Sequence, residues 1–282
     1  MTAASKRIVA TCLIHVLLIL FACFMCFPLF WMLMASFKTN NEILSSFSVF
    51  PRKFLFDGYV QGWNGIGNHT FALYFVNTFK MVFPTVFFTL VSSSLVAYGF
   101  ARFKFPMKKN LFMLMLSTMM LPNSIVIIPR YLLFNKLHWL NTYLPFVVPA
   151  MFACNSFFIF MLVQFIRGIP RDLDEAATID GCNVLRIFGE ILVPLMKPAL
   201  FSAGLFQFMW TWNDFFNTLI YISKVDKYPL SLGLRISLDS ASAVQWNQVM
   251  AMALLSILPL VLIFFFAQKY FVEGIATSGL KG

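Results

Sequence analysis

Six apolar runs, each long enough to cross a bilayer, dominate this chain: roughly residues 8–36, 76–100, 111–134, 143–166, 199–221 and 248–271. About 20 apolar residues in helical form span the ~30 Å hydrocarbon layer. No water is available there for backbone N–H and C=O groups, so each run must satisfy its own hydrogen bonds as a helix. Hydrophobic residues make up 60% of the 282 and charged residues only 11%. A water-soluble chain of that size could not cover its surface at this ratio. The expected fold class is therefore all-α integral membrane: six transmembrane helices forming one domain over residues 1–282.

Lys6 and Arg7 precede the first run in the manner of a signal peptide. The run continues well past the 7–15 residues of a cleavable segment, and no small-residue cleavage site follows, so it reads as a retained span. Leu20-Phe21-Ala22-Cys23 faintly resembles a lipoprotein box, but the run does not stop there. Lys and Arg near span ends set orientation. With the N-terminus inside, twelve of the 21 basic residues fall in the cytoplasm, seven outside (Lys38 among them), and Lys80 and Arg130 in or beside spans. The short loops decide it: 102–110 carries four positive charges and 135–142 only Lys136. Both termini are thus expected to be cytoplasmic, along with the polar loop 167–198. The net charge of +10 follows from this bias. The basic residues lack interleaved stacking aromatics, so no nucleic-acid partner is expected.

Cys12, Cys23, Cys26, Cys154 and Cys182 all avoid the outside loops, which argues against disulfides. His15, His69 and His138 are scattered, and no metal site is expected.

The loop 167–198 is the one long polar stretch that is also densely punctuated for helix. Gly168 and Pro170 end the fourth run. Asp172 stands three residues before Glu175, the spacing of a capping box, and Gly181 supplies a C-terminal stop. A helix from Leu173 to Asp180 would be ~12 Å long. Leu173, Ala176, Ala177 and Asp180 would share one small, flat face suited to close docking. Asn183 can cap a second helix from Val184 to about Leu192, which Pro194 and Pro198 interrupt. The other reading is a solvated linker. Against it stand the alanines on one face and the shortness of the helix, which leaves it marginal without a partner.

In the fifth run, Asp214 is the one carboxylate well inside a span, with Trp210, Trp212, Asn213, Phe215 and Asn217 around it. Intramembrane acids are costly and mark functional sites. Aromatic faces beside amide and carboxylate groups suit a polyhydroxylated ligand. The alternative is a local helix pairing with interfacial tryptophans. Asn77 and Thr78 either line the same pathway or bond across helices. Pro122 and Pro129 break the third run as packing kinks.

The run EAATIDGCNVLRIFGEILVPLMKP, Glu175 to Pro198, resembles the EAA loop of permease subunits in bacterial ABC importers. Pro28 to Lys38, Asn77-Thr78, Leu121-Pro122 through Tyr131, Asn141-Thr142-Tyr143, Phe165 to Pro170, Trp212 to Phe215 and the tail Gly274 to Gly282 are similar to the carbohydrate-importing, maltose-type branch and to its smaller, six-span membrane subunit. Cys182 departs from the Ala usual there, and the first outside loop diverges. The resemblance implies a type I ABC importer permease fold, with its core over about 71–271, in a bacterial cell membrane. It implies that the helix bearing Asp172, Leu173, Glu175, Ala176, Ala177, Asp180 and Gly181 is a coupling helix seated in an ATPase. The implied partners are a second, related permease subunit, two cytoplasmic ATPase subunits and an extracytoplasmic solute-binding protein, into which loop 222–247 would reach. Asn77, Thr78, Trp212, Asn213, Asp214 and Asn217 would line the pathway.

The chain has no G-x-x-x-x-G-K-[ST], so ATP and Mg would be bound by the partner subunits, and this chain is expected to hold no cofactor and catalyse nothing. The solute expected is a carbohydrate; a polyol or glycerol phosphate is the alternative. An ion-coupled transporter would need more intramembrane acids than Asp214, and a scaffold would leave the polar aromatic cluster unexplained.

Overall fold

The computed structural model describes residues 3–65, 69–239 and 244–279, with side chains over 10–65, 69–238 and 244–266. Gly67 and Lys281, the side chains of Lys6, Arg7 and Lys269, and those of the 274–282 tail lie outside the described residues. The described chain is helical and falls into two compact units, one of the first 71 residues with 234–258, the other of 72–233 with the residues from 259 onward.

In the first unit, α1 (Ala3–Ala35) is apolar on every side, and none of its most apolar stretch is buried within the chain. Such a helix is matched to lipid or to another subunit. Thr39 caps α2 (Asn40–Ser45) by accepting from the Glu42 N–H at 3.2 Å. Helix α3 (Asp57–Asn64) lies against the start of the last helix: a Cβ on Gly58 would stand 2.9 Å from the Asn247 carbonyl oxygen. Only glycine allows that approach. Asn40 bridges the same segment, donating to the Val244 carbonyl at 3.1 Å and accepting from the Trp246 N–H at 2.8 Å. Lys38, expected in an open outside loop, is buried, and its ammonium donates to the Ser48 carbonyl.

The second unit contains α4 (Phe71–Arg102), α5 (Lys108–Thr118), α6 (Asn123–Lys136), α7 (Leu144–Met151), α8 (Ser156–Gly168), α9 (Asp172–Ile179), α10 (Val184–Arg186), a π-helical turn (Ile187–Leu192), α11 (Val193–Leu195), α12 (Lys197–Trp212) and α13 (Phe216–Tyr221). After them come a 3₁₀ turn (Val225–Lys227) and α14 (Leu230–Asp239), and α15 (Trp246–Gly279) closes the chain. On α8, Phe158, Ile159, Leu162, Val163 and Ile166 repeat at helical spacing and are all buried. Ile159, Leu162, Val163 and Ile166 join Ala97, Tyr98 and Ala101 of α4 and Ala199 of α12 in one core. Lipid is as apolar as these side chains, so the helices are held by close packing. The pairs Ala97/Ala101 and Ala199/Ala203 provide it with small buried side chains at i, i+4. Ser92 of α4 adds a 2.6 Å donation to the Ala150 carbonyl at the end of α7.

Among the described residues, four stretches are individually long and apolar enough to cross a membrane: Ala10–Ala35, Phe71–Arg102, Leu144–Gly168 and Trp246–Phe266. The third run is broken: α5 and α6 meet at 97°. Pro122 stands at that break as the cap of α6, whereas Pro129 lies inside α6 without ending it. The fifth run is also broken, at Asn213 to Phe215, between α12 and α13.

Opposite the polar loop, Asn141 ties two connections together. Its Oδ1 accepts from Ser223 N at 2.7 Å, Ser223 Oγ at 2.9 Å and Lys224 N at 3.0 Å. Its backbone is left-handed (φ 59°), a conformation that Asn tolerates better than most residues. Asn141→Ala is expected to lower the unfolding free energy by about 1–2 kcal/mol, through lost bonds and φ strain together. Asn141→Gly should restore only the strain component. Thermal unfolding in detergent reads both, and an unchanged Asn141→Ala protein would contradict this role.

Candidate functional site

Within the polar loop the chain turns helical one residue earlier than the sequence suggests. Arg171 is the N-cap in helical geometry (φ −74°, ψ −23°), and Asp172 is already the first residue of α9. No side-chain cap forms, so the capping box expected of Asp172 and Glu175 is absent. A box needs an extended cap residue, and the backbone here has already entered the helix. The first turn is stabilised instead by charge: Asp172, Asp174 and Glu175 face the positive end of the helix dipole. The C-terminus ends as expected. The Cys182 N–H bonds the Ala177 carbonyl at 2.9 Å and the Gly181 N–H bonds the Thr178 carbonyl at 3.1 Å, a Schellman pair with Gly181 at φ +80°. A Cβ on Gly181 would meet nothing within 4 Å, so the glycine serves the backbone turn and not a tight contact.

The helix faces also differ from expectation. Ala177 is buried and packs into the core with Tyr98, Ile166 and Ile187, so it does not share an outward surface with Leu173, Ala176 and Asp180. The inward side is Asp174 and Ala177, three residues apart. The outward side carries Leu173, 42% exposed, and Ile179, 86% exposed; the neighbouring turn adds exposed Val184 and Leu185.

The loop is fastened to the end of α4 by reciprocal contacts. Arg102 Nε lies 2.7 Å from Asp174 Oδ2, the arginine side chain being 6% and the carboxylate 20% exposed. Arg102 also donates to the Ile169 carbonyl at 3.1 Å, and Arg171 donates back to the Ala101 carbonyl at 3.3 Å. Tyr98 stacks on Phe188 at 5.2 Å and donates to the Val184 carbonyl at 3.4 Å. Asn183 caps α10 as expected, accepting from the Arg186 N–H at 2.9 Å.

Beyond it the helix does not stop at Pro194 but widens into the π turn Ile187–Leu192, where the Val193 N–H reaches the Phe188 carbonyl. Widening the turn carries the Glu190 carbonyl away from a proline ring that offers it no N–H. Glu190 accepts from Arg186 Nε at 3.0 Å and holds that exposed guanidinium above its ordinary pKa by a hydrogen bond and by charge. A surface pair of this kind contributes little to stability.

The pathway candidates are placed mostly in structural roles. Asn77 is buried and donates to the carbonyls of Asp226 (2.9 Å) and Tyr228 (3.0 Å). Thr78 Oγ1 accepts from the Leu230 N–H at 2.8 Å, supplying a partner at the start of α14. Asp214 lies in the turn between two helices and not within one. Its carboxylate caps α13, accepting from the Asn217 backbone at 3.1 Å and from the Asn217 amide at 2.9 and 3.0 Å. Asn213 is exposed and donates to the Met209 carbonyl at 2.9 Å. Trp212 is buried in an aromatic ladder, stacked on Phe208 and edge-on to Phe79, with both centroids at 5.2 Å. Thr78 and Asp214 do converge on one element: Ser231, beside Leu230, reaches the Asp214 carbonyl at 3.4 Å. Nothing in the sequence marks Arg102, Asp174 and Ile179 as parts of one site; the 174/177 spacing is the one local sign of an inward face.

Residues 90–277 match the family of binding-protein-dependent transport system inner membrane components, and the chain belongs to that family. It is 34% identical over 259 residues to the arabinooligosaccharides transport system permease protein AraQ of Bacillus subtilis, covering 91% of this chain and 90% of that one. It is 30% identical over 269 residues to the sn-glycerol-3-phosphate transport system permease protein UgpE of Yersinia enterocolitica, covering 94% and 95%. Its fold is similar to a chain of a bacterial ABC transporter involved in the import of the acidic polysaccharide alginate, with TM-score 0.84 at 23% identity, covering 96% of this chain and 99% of that one. The protein is thus a membrane-embedded, non-catalytic permease subunit of an ABC importer, a class that works with ATPase and solute-binding partners.

Arg102→Ala is expected to cost about 3 kcal/mol, because it leaves the Asp174 carboxylate largely buried and unpaired. The double variant Arg102→Met with Asp174→Leu should recover most of that loss. Denaturation in detergent compares the two, and equal losses in both would show that the pair does not act as a unit.

Proposed function

We propose that this chain is the smaller, six-span membrane subunit of an ATP-driven carbohydrate importer, with both termini and the 167–198 loop in the cytoplasm and the permease core over about 71–271. It pairs with a second, related permease subunit, two ATPase subunits carrying ATP and Mg, and an extracytoplasmic binding protein. The observation that carries the coupling role is the two-sided α9. One side is pinned to α4 through Asp174 and Ala177, and the other holds Leu173, Ala176, Ile179 and Asp180 outward. Exposed Leu173 and Ile179 on α9, with exposed Val184 and Leu185 on the neighbouring turn, support a protein contact there. Asp172 and Glu175 complete the outward rim, and Gly181 ends it.

A handle pinned at one face transmits displacement. Closure of the ATPases moves α9, the Arg102 contact carries that motion into α4, and the bundle rocks between inward- and outward-facing states. The solute class rests on the relatives. The arabinooligosaccharide permease supports an oligosaccharide, and the glycerol phosphate permease supports the second reading, a polyol or phosphorylated polyol. For the pathway, Asn213, Asp214 and Asn217 remain the proposed ligand-side groups at the α12–α13 break. Asn77, Thr78 and Trp212 are proposed to hold the walls of the pathway around them.

With the partner subunits reconstituted in vesicles, ATP hydrolysis should rise when the binding protein carries an oligosaccharide. Ile179→Glu should abolish that stimulation, while the protein still reaches the membrane and unfolds at the wild-type temperature. Full stimulation of the Ile179→Glu complex would remove the docking assignment. Stimulation by glycerol phosphate alone would select the second reading.

A further inference from the structure

A cavity of about 520 Å³ opens where α4, α5 and α8 end beside the polar loop, and four cations line it: Arg102, Lys108, Arg167 and Arg171. No carboxylate lines it; Asp174 engages Arg102. The remaining lining residues are Ala101, Gly168, Ile169 and Pro170.

Each cation is held in place by a contact that leaves donors free. Lys108 gives one of its three N–H groups to the Phe103 carbonyl at 2.8 Å. Arg171 spends one on the Ala101 carbonyl, and Arg167 lies over the Phe112 ring at 5.2 Å to the centroid. An Arg or Lys cluster with spare donors is built for a phosphate or carboxylate.

Two features narrow the ligand. The cations sit at helix ends, Arg102 and Arg167 in last turns and Lys108 at a first residue, which is headgroup depth for helices that span. Beside the cavity, Phe103, Phe105, Met107 and Leu111 are exposed and apolar, a surface that an acyl chain would cover and a free ion would leave bare. Basic pockets between spanning helices on the cytoplasmic side take anionic lipid headgroups.

We infer that this cavity is a binding site for the phosphate headgroup of an anionic phospholipid. Its acyl chains lie along Phe103, Phe105, Met107 and Leu111. The site rests on the proposed membrane topology and is independent of the transported solute. A zwitterionic lipid fits it less well, because its ammonium enters a cavity already lined by four cations.

The test is native mass spectrometry of the full chain purified in mild detergent, with phosphatidylglycerol and phosphatidylcholine supplied together. Wild type should retain phosphatidylglycerol in preference. Lys108→Gln with Arg167→Gln should weaken that retention by about fivefold per charge removed, about 25-fold in all. Lys108→Arg with Arg167→Lys should keep it, which separates lost charge from lost fold. Millimolar inorganic phosphate should fail to displace the lipid.

Undiminished retention in the Gln pair overturns the site, as does equal loss in the charge-conserving pair. Displacement by inorganic phosphate shows a free-anion site instead. A Gln pair that keeps its lipid but no longer assembles with the ATPase shows that the cavity receives a partner's acidic side chain. No ATPase or solute enters the lipid measurement, so its failure leaves the transport reading standing.

Discussion

A guanidinium and a carboxylate, Arg102 at the end of α4 and Asp174 in the first turn of α9, hold the polar loop to the helical bundle at 2.7 Å. A two-turn helix is marginal alone, so α9 owes its persistence to what it is fastened to. The ion pair is reinforced by arginine donations running both ways across the junction, and Ala177 closes it from the apolar side. Once α9 is fixed in this way, its remaining surface is committed to the outside. That division between an inward and an outward face is what gives the proposed coupling role its mechanical sense.

The same logic organises the opposite end of the second unit. There the polar groups of Asn77, Thr78 and Asn141 are spent on backbone N–H and C=O groups of residues 222–230. Buried polar groups near lipid are costly unless paired, and these are paired with the connection that follows the broken fifth run. Of the proposed pathway groups, Asn213 and Asp214 sit in that break and Asn217 in the first turn of α13 beyond it. A turn stabilised by its own aspartate cap leaves backbone irregular where a continuous helix would have none. Irregular backbone at membrane depth is tolerated only where protein or a water-filled cavity surrounds it.

Much of this was legible in residue order, for physical reasons. The apolar runs of α1, α4 and α15 announce themselves because a spanning helix needs nothing beyond length and hydropathy. Gly181 and Asn183 were readable because caps are local: the Schellman turn and the Asn183 cap each involve residues a few positions apart. Asp172 misled because its spacing to Glu175 imitates a capping box, while the cap's backbone conformation is set by how the chain leaves α8. Ala177 misled because two faces of a short helix both contain alanine, and only the position of α4 decides which is buried. Arg102 read as one more orienting charge, since nothing nearby in sequence marks its partner. The break at Asn213 to Phe215 carries no proline or glycine, so nothing in the residue order distinguishes it from continuous helix.

The central claim is the sidedness of α9, and site-directed disulfide crosslinking between single cysteines on α9 and the ATPase surface measures it most directly. In the assembled complex, cysteines at 173 and 179 should couple efficiently to the ATPase, while a cysteine at 177 should not. Efficient coupling from 177 with none from 173 or 179 would reverse the inward and outward faces, and with them the coupling role proposed for this loop.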